Sequence, residues 1–399
     1  MVTSAQARRC GASRRRYLPA SASVAPAQRA GFDQLLAEFD AGKSAALARV
    51  VSIVENHRAG FDEILGRLHT KLGRARRIGI TGPPGAGKST LTTLLVRELR
   101  SAGHRVGVVA VDPTSPFTGG ALLGDRVRME SVALDSGVFI RSMATRGSLG
   151  GLAAATREVA DVLDAFGFER IIVETVGVGQ SELDIARIAD SSVVVLVPES
   201  GDSIQTLKAG LMEIADIFVV NKSDRPGSDR LRMDIELMLG LRSGATMKNM
   251  PAHHGVDMKS LNPARLARQA AKAQLTPSPV NQNPQTPNAP SWTPPVFSTI
   301  ASKGEGVVEL LTAIDAHFAY LEETGGLRER RRRRLRDRVV DVVEQRVRHR
   351  LWNDSGTGKW LDSRVEEMEA GTATPFSVAD ELLEQSAELI AKHDSRASK

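Results

Sequence analysis

One cysteine, Cys10, stands in a chain of 399 residues. A single thiol closes no disulfide within the chain and builds no thiolate metal site, a pattern that suits a reducing compartment. No apolar run approaches the ~20 residues that a helix needs to cross a bilayer, so no membrane association is expected. Aromatic residues make up only 4% of the chain. None interleave the basic run at 328–338, which removes from it the stacking platform used to hold single-stranded nucleic acid. Acid is missing from the beginning of the chain. Arg8, Arg9, Arg14, Arg15, Arg16 and Arg29 all precede the first acidic residue, Asp33. Residues 1–30, rich in Ala, Ser and Arg, have the composition of a transit peptide to the mitochondrial matrix. The same Ala/Arg bias runs through the whole chain, which favours a disordered extension of a cytoplasmic protein.

The apolar share, 41%, is enough for a sizeable core. Helical spacing dominates residues 31–73, where Phe32, Leu35, Leu36 and Phe39 share a face. From 76 to 222, short apolar runs alternate with helical patterns: RIGIT (77–81), VGVVAVD (106–112), GVFIRS (137–142), RIIVET (170–175), SVVVLVP (192–198) and DIFVVNK (216–222). Their apolar residues are nearly continuous, as in strands covered on both faces of a parallel sheet. A last strand, PVFSTIA (295–301), precedes a helix at 305–322. Residues 249–295 between them are dense in Pro, Asn and Gln, and we expect a flexible insertion there. His253 and His254 within it read as exposed loop residues. Past 326 the pattern is helical again. Leu335, Val339, Val343, Val347 and Leu351 recur every fourth residue behind the basic run RERRRRRLRDR (328–338). That run is expected to be a solvated or subunit-facing side of a helix, and not a nucleic-acid site.

The segment GPPGAGKS, residues 82–89, fits the phosphate-loop pattern G-x-x-x-x-G-K-[ST], and it joins an apolar strand to a helix. Gly82, Pro83, Pro84, Gly85, Ala86 and Gly87 form the loop, whose backbone N–H groups would face phosphate oxygens at a helix N-terminus. Lys88 would reach the β- and γ-phosphates, Ser89 would ligate Mg²⁺, and Thr90 follows in the same turn. The expected class is therefore α/β, a P-loop NTPase with a mostly parallel central sheet flanked by helices. An N-terminal helical extension (31–73) and a C-terminal helical arm (326–399) flank the nucleotide-binding domain (74–325).

NKSD, residues 221–224, selects the base. The Asp224 carboxylate can accept two hydrogen bonds from guanine N1–H and the exocyclic amine. Adenine presents no such pair, and the carboxylate would be left unpaired. Asn221 would brace neighbouring loops and the Lys222 stem would cover the ring. Ala301, after the last strand, marks the final guanine-contacting loop, although STIAS departs from the usual Ser-Ala there. Asp112 and Glu174 end strands at the carboxyl edge of the sheet, where ligands of open α/β folds sit, and both are candidate Mg²⁺ residues. Asp125, with Arg128, lies in a loop that would cover the phosphates. A common GTPase shows Asp-x-x-Gly followed by a water-positioning Gln. Here the order is Glu174-Thr175-Val176-Gly177 and then Val178, with Gln180 three residues past the glycine.

These motifs resemble the MeaB/ArgK family of GTPases, associated with adenosylcobalamin-dependent methylmalonyl-CoA mutase and belonging to the SIMIBI class. The resemblance rests on GITGPPGAGKSTL, VAVDPTSPFTGGALLGDRVRM, ETVGVGQSE and GDSIQTLKAGLMEIADIFVVNKSD, and it covers residues 31–240 and 295 onward. It implies GTP/GDP and Mg²⁺ as ligands, and catalytic or metal roles for Lys88, Ser89, Asp112, Asp125 and Glu174. It also implies a γ-phosphate contact at Gly177, a mutase-coupling segment at Gln205 and Lys208, and a homodimer through the C-terminal arm. Lacking the glutamine, the enzyme should hydrolyse GTP slowly alone and faster with its partner. The rival readings are a metallochaperone GTPase, for which the Cys and His ligands are missing, and a kinase linked to amino-acid transport, against which NKSD argues.

Overall fold

The computed structural model describes residues 26–112, 129–144, 151–175, 181–198, 210–242, 291–349, 351–352 and 357–384. The continuous apolar runs become strands β1 (Arg76–Thr81), β2 (Val106–Asp112), β3 (Val138–Ala144), β4 (Arg170–Thr175), β5 (Ser191–Leu196), β6 (Ile217–Asn221) and β7 (Val296–Thr299). They form one sheet in the order β3-β2-β4-β1-β5-β6-β7, and every pairing is parallel. Parallel neighbours need crossovers, and helices that cross over cover both faces.

Successive strand residues point to opposite faces. On one side Ile78, Ile80, Ile172 and Val193 pack with the helix that follows β1, Lys88–Ser101, and with the helix that follows β7, Val307–Glu323. On the other side Ile171, Val173 and Val194 pack with helices Ser44–Glu55 and Gly151–Phe166. The N-terminal helices are part of this second layer. Val50, Val51 and Val54 are completely buried, and the Phe39 and Phe166 rings meet edge to face at 4.9 Å. Among the described residues no helix is long and apolar enough to cross a membrane.

Two expectations fail. The insertion does not stay flexible up to residue 295. Trp292 Nε1 donates to the Asp216 carbonyl at 2.8 Å, and its ring lies 4.7 Å from that of His317. An indole can bury its large apolar body here because its one donor is satisfied. Residues 249–290 lie outside the described residues.

The arginine run is the second correction. In helix Gly326–His349 Arg330, Arg331, Arg334 and Arg338 turn inward and the apolar stripe turns outward. Arg331 donates to Asp190 at 2.7 Å and Arg330 to Asp216 at 2.8 and 2.9 Å, while Arg334 pairs with Asp190 and Arg338 with Asp161. Leu335, Val339, Val343 and Val347 are 49%, 63%, 52% and 42% exposed. The reason is that the amino-terminal end of the sheet is acidic. Asp190 is fully buried and also accepts the Arg77 N–H at 3.1 Å, and Asp216 accepts that of Ser192 at 2.9 Å. Buried carboxylates require charged partners, and long arginine stems reach them from a helix lying across that edge. His317 is sealed in the same place, 2.9 Å from the Ser191 hydroxyl, and burial lowers its pKa to about 4. It is therefore neutral at physiological pH.

Candidate functional site

At the opposite, carboxyl end of the sheet, the loop between β1 and helix Lys88–Ser101 turns on glycines that nothing else could replace. Gly82 has φ +136, and a Cβ there would stand 2.0 Å from the Val195 carbonyl oxygen. Gly87 has φ +86, and a Cβ would stand 2.4 Å from Asn221 Nδ2. The loop is thus pressed against β5 on one side and β6 on the other. Pro84, Gly85 and Thr90 are exposed, while Pro83 and Ala86 are buried.

Lys88 is 5% exposed, and its ammonium donates to the carbonyls of Gly82 at 2.8 Å and Pro83 at 2.9 Å. The side chain folds across the mouth of its own loop, where an approaching anion would meet it. Ser89 Oγ donates to Glu174 Oε1 at 2.5 Å. Glu174 stands between Ile80 of β1 and Ala110 of β2 in the sheet register. Asp112 ends β2, two residues beyond Ala110. A hydroxyl and a carboxylate at one edge are both oxygen donors, which suits a hard cation such as Mg²⁺ that keeps most of its own water. Among the described residues no group of three or more His, Cys, Asp or Glu side chains is placed so as to hold a metal ion by itself.

Asn221 is the hub on the base side. Its Nδ2 donates to the Ala86 carbonyl at 2.8 Å. Its Oδ1 accepts from Thr299 Oγ1 and from the Ala301 N–H, both at 3.1 Å. One side chain therefore ties the phosphate loop to the loop after β7, in keeping with the bracing expected of Asn221. Lys222 adopts a left-handed backbone, φ +56, which turns the chain sharply at the end of β6 and leaves Asp224 exposed. Ala301 is 5% exposed, and its N–H serves Asn221 in spite of the unusual sequence around it.

Asp125, Arg128, Gly177, Gln180, Gln205 and Lys208 lie outside the described residues, as do His253 and His254. Motif reading missed Thr81 and Thr175. These buried residues lie directly before Gly82 and directly after Glu174, and Thr175 Oγ1 donates to Thr81 Oγ1 at 2.8 Å. The available signal was a threonine closing each of two strands with an apolar middle.

The profile of the family described as "Methylmalonyl Co-A mutase-associated GTPase MeaB" matches residues 47–356. A provisionally named GTPase of Pyrococcus abyssi is 41% identical over 353 residues, 88% of this chain and 96% of that protein. The mitochondrial methylmalonic aciduria type A homolog of Mus musculus is 29% identical over 307 residues, 77% of this chain and 64% of that one. Among solved structures, a LAO/AO transport system kinase shares the fold with a TM-score of 0.57 at 24% identity, covering 91% of this chain and 98% of that one. With a phosphate loop closed by β5 and β6 and a profile match over most of its length, the chain belongs to the MeaB family and is a guanine-nucleotide-binding GTPase.

Proposed function

We propose that this GTPase is a nucleotide-timed chaperone of an adenosylcobalamin-dependent acyl-CoA mutase, with methylmalonyl-CoA mutase as the first candidate. Its task would be assembly, cofactor loading and protection of that enzyme. The observation that supports this reading is the family match over residues 47–356, whose description names the mutase association. We place the protein in the cytoplasm, or in the mitochondrial matrix if residues 1–30 act as a leader.

In this reading the β- and γ-phosphates rest on the backbone of residues 82–87, at the N-terminus of helix Lys88–Ser101, and the Lys88 ammonium neutralises charge between them. Mg²⁺, held by Ser89, Asp112 and Glu174, would supply Lewis-acid stabilisation of the transferring phosphoryl oxygens. Glu174 accepts the Ser89 O–H hydrogen bond, which would leave the Ser89 lone pairs available to the cation. Asp125 and Gly177 complete the γ-phosphate side. Asp224 reads the guanine edge, Lys222 covers the ring, and Asn221 keeps the loops that carry them at a fixed spacing. Val178 stands where a water-positioning glutamine is usual. Hydrolysis alone should therefore be slow, with the partner restoring the lost alignment.

The segment around Gln205 and Lys208 is the proposed coupling element. Native protein is expected to hydrolyse GTP faster when its cognate mutase is added. Lys208→Ala should keep basal turnover and lose much of that stimulation, because only the coupling free energy is removed. Turnover measured with and without mutase checks both. Stimulation of the variant equal to that of the native chain would move the coupling elsewhere, and no stimulation of the native chain by any corrinoid mutase of its host would remove the chaperone reading.

We also propose a homodimer through the outward stripe of Leu335, Val339, Val343 and Val347. Such a row of exposed aliphatic residues on one helix is costly in water unless covered. Val339→Glu with Val343→Glu is expected to yield a folded monomer by light scattering, since neither residue packs inward. A dimer that survives both changes places the interface elsewhere.

A further inference from the structure

β4 delivers Glu174 to the site and ends one residue later, at Thr175. The end of this strand is held by two side-chain hydrogen bonds. Glu174 Oε1 accepts from Ser89 at 2.5 Å, on the side of helix Lys88–Ser101. Thr175 Oγ1 donates to Thr81 Oγ1 at 2.8 Å. Neighbouring strand residues point to opposite faces, so the two bonds pin the strand end from opposite sides of the sheet. Thr81 and Thr175 are 0% and 3% exposed. Buried hydroxyls are held to their partners because an unmade bond costs the full desolvation of the group.

The two bonds belong to one closed circuit. Lys88 Nζ donates to the Gly82 carbonyl, and Gly82 follows Thr81 in the chain. Thr81 accepts from Thr175, which follows Glu174, and Glu174 accepts from Ser89, which follows Lys88. The circuit therefore links the entrance of the phosphate loop, its lysine, its serine and the carboxylate at the end of the neighbouring strand. At Gly82 there is no room for a side chain beside the Val195 carbonyl. The threonine bond lies next to Glu174 along β4.

We propose that Thr175, through Thr81, is a positioning residue for the nucleotide-bound cation. It holds Glu174 at the height and roll at which its carboxylate and the Ser89 hydroxyl serve the same ion. A bond that only stabilised the sheet would lower the melting temperature and leave the response to magnesium alone. A bond that positions the carboxylate changes the magnesium response and leaves metal-free nucleotide binding intact, since the loop backbone is untouched. This inference rests on the assignment of Mg²⁺ to Ser89, Asp112 and Glu174 made above.

The experiment uses the full chain as native protein, Thr175→Val, Thr175→Ser, Thr81→Val and the double valine variant. Binding of a fluorescent GDP is titrated in EDTA and across magnesium concentrations, alongside the melting temperature. Thr175→Val is expected to bind within about twofold of native in EDTA and to need about tenfold more magnesium for the same enhancement, the size of one buried hydrogen bond. Thr175→Ser should restore the native response. The double variant should need at least as much magnesium as Thr175→Val, because both changes remove that bond. Thr81→Val removes that bond from its acceptor side and serves if Thr175→Val does not fold. A magnesium requirement within twofold of native in the valine variants overturns the proposal, whatever their melting temperatures. If the native chain itself ignores magnesium, the metal assignment falls instead.

Discussion

Replacing Lys88 by alanine is expected to lower GTP turnover by roughly a hundredfold or more, the usual scale for removing a group that stabilises transition-state charge. The ammonium is 5% exposed and sits on the Gly82 and Pro83 carbonyls, so it acts in a place where water screens it poorly. The mutation also removes the brace across the loop. Loss of the brace alone would weaken binding of GDP and GTP alike. Loss of the charge falls on turnover and on GTP more than GDP, because the extra phosphate brings the extra charge. Turnover and the two affinities should be measured on protein freed of contaminating GTPases. Near-native turnover in the variant would refute the phosphate-loop assignment.

The second large effect is expected far from that site. Asp190→Ala should cost about 3–5 kcal/mol of stability, the scale for removing one partner of a buried ion pair. Asp190 is completely buried, and the Arg331 and Arg334 guanidinium groups converge on it from helix Gly326–His349. Arg77 approaches from β1 through its N–H. Burial alone would raise its pKa. The charges of Arg334, Arg331 and Arg77 overcome that and hold the carboxyl well below the usual range. A depressed folded-state pKa means that the stabilisation is present above about pH 4 and is lost as pH falls further. Calorimetry at neutral pH should show a melting temperature lower by on the order of 10 °C. Guanine nucleotide binding well below that temperature should persist, since Asp190 lies at the amino end of the sheet and the phosphate loop at the other. A shift of only a degree or two would show that the arginines find other partners and that the arm is not clamped there.

Local pattern determined much of this molecule. Each two-sided apolar run overlaps one of the strands β1 to β7, with ends that differ by up to two residues, because a strand covered on both faces has no room for alternating polar residues. The phosphate loop was legible because its glycines answer a backbone need. The positive φ at Gly82, Gly85 and Gly87 is paid for by no side chain. Asn221 was legible in its bracing role because the motif places it at a strand end, and its contacts to Ala86, Thr299 and Ala301 lie there.

Tertiary structure alone decided which way the C-terminal helix faces. Its sequence shows an arginine side and an aliphatic side, and the ordinary expectation buries the aliphatic one. The reverse holds because Asp161, Asp190 and Asp216, distant in sequence, gather beneath the helix and demand cations. No periodicity within the helix reports charges on another element. Trp292 escaped for a related reason. Its neighbours in sequence are Pro, Asn and Ser, but its partners are the Asp216 carbonyl and the His317 ring. The Thr81–Thr175 bond is likewise invisible until β1 and β4, far apart in the chain, lie side by side. Periodicity reads the environment that a residue makes with its own element. Buried charge and buried hydroxyls are settled by what the fold brings from elsewhere.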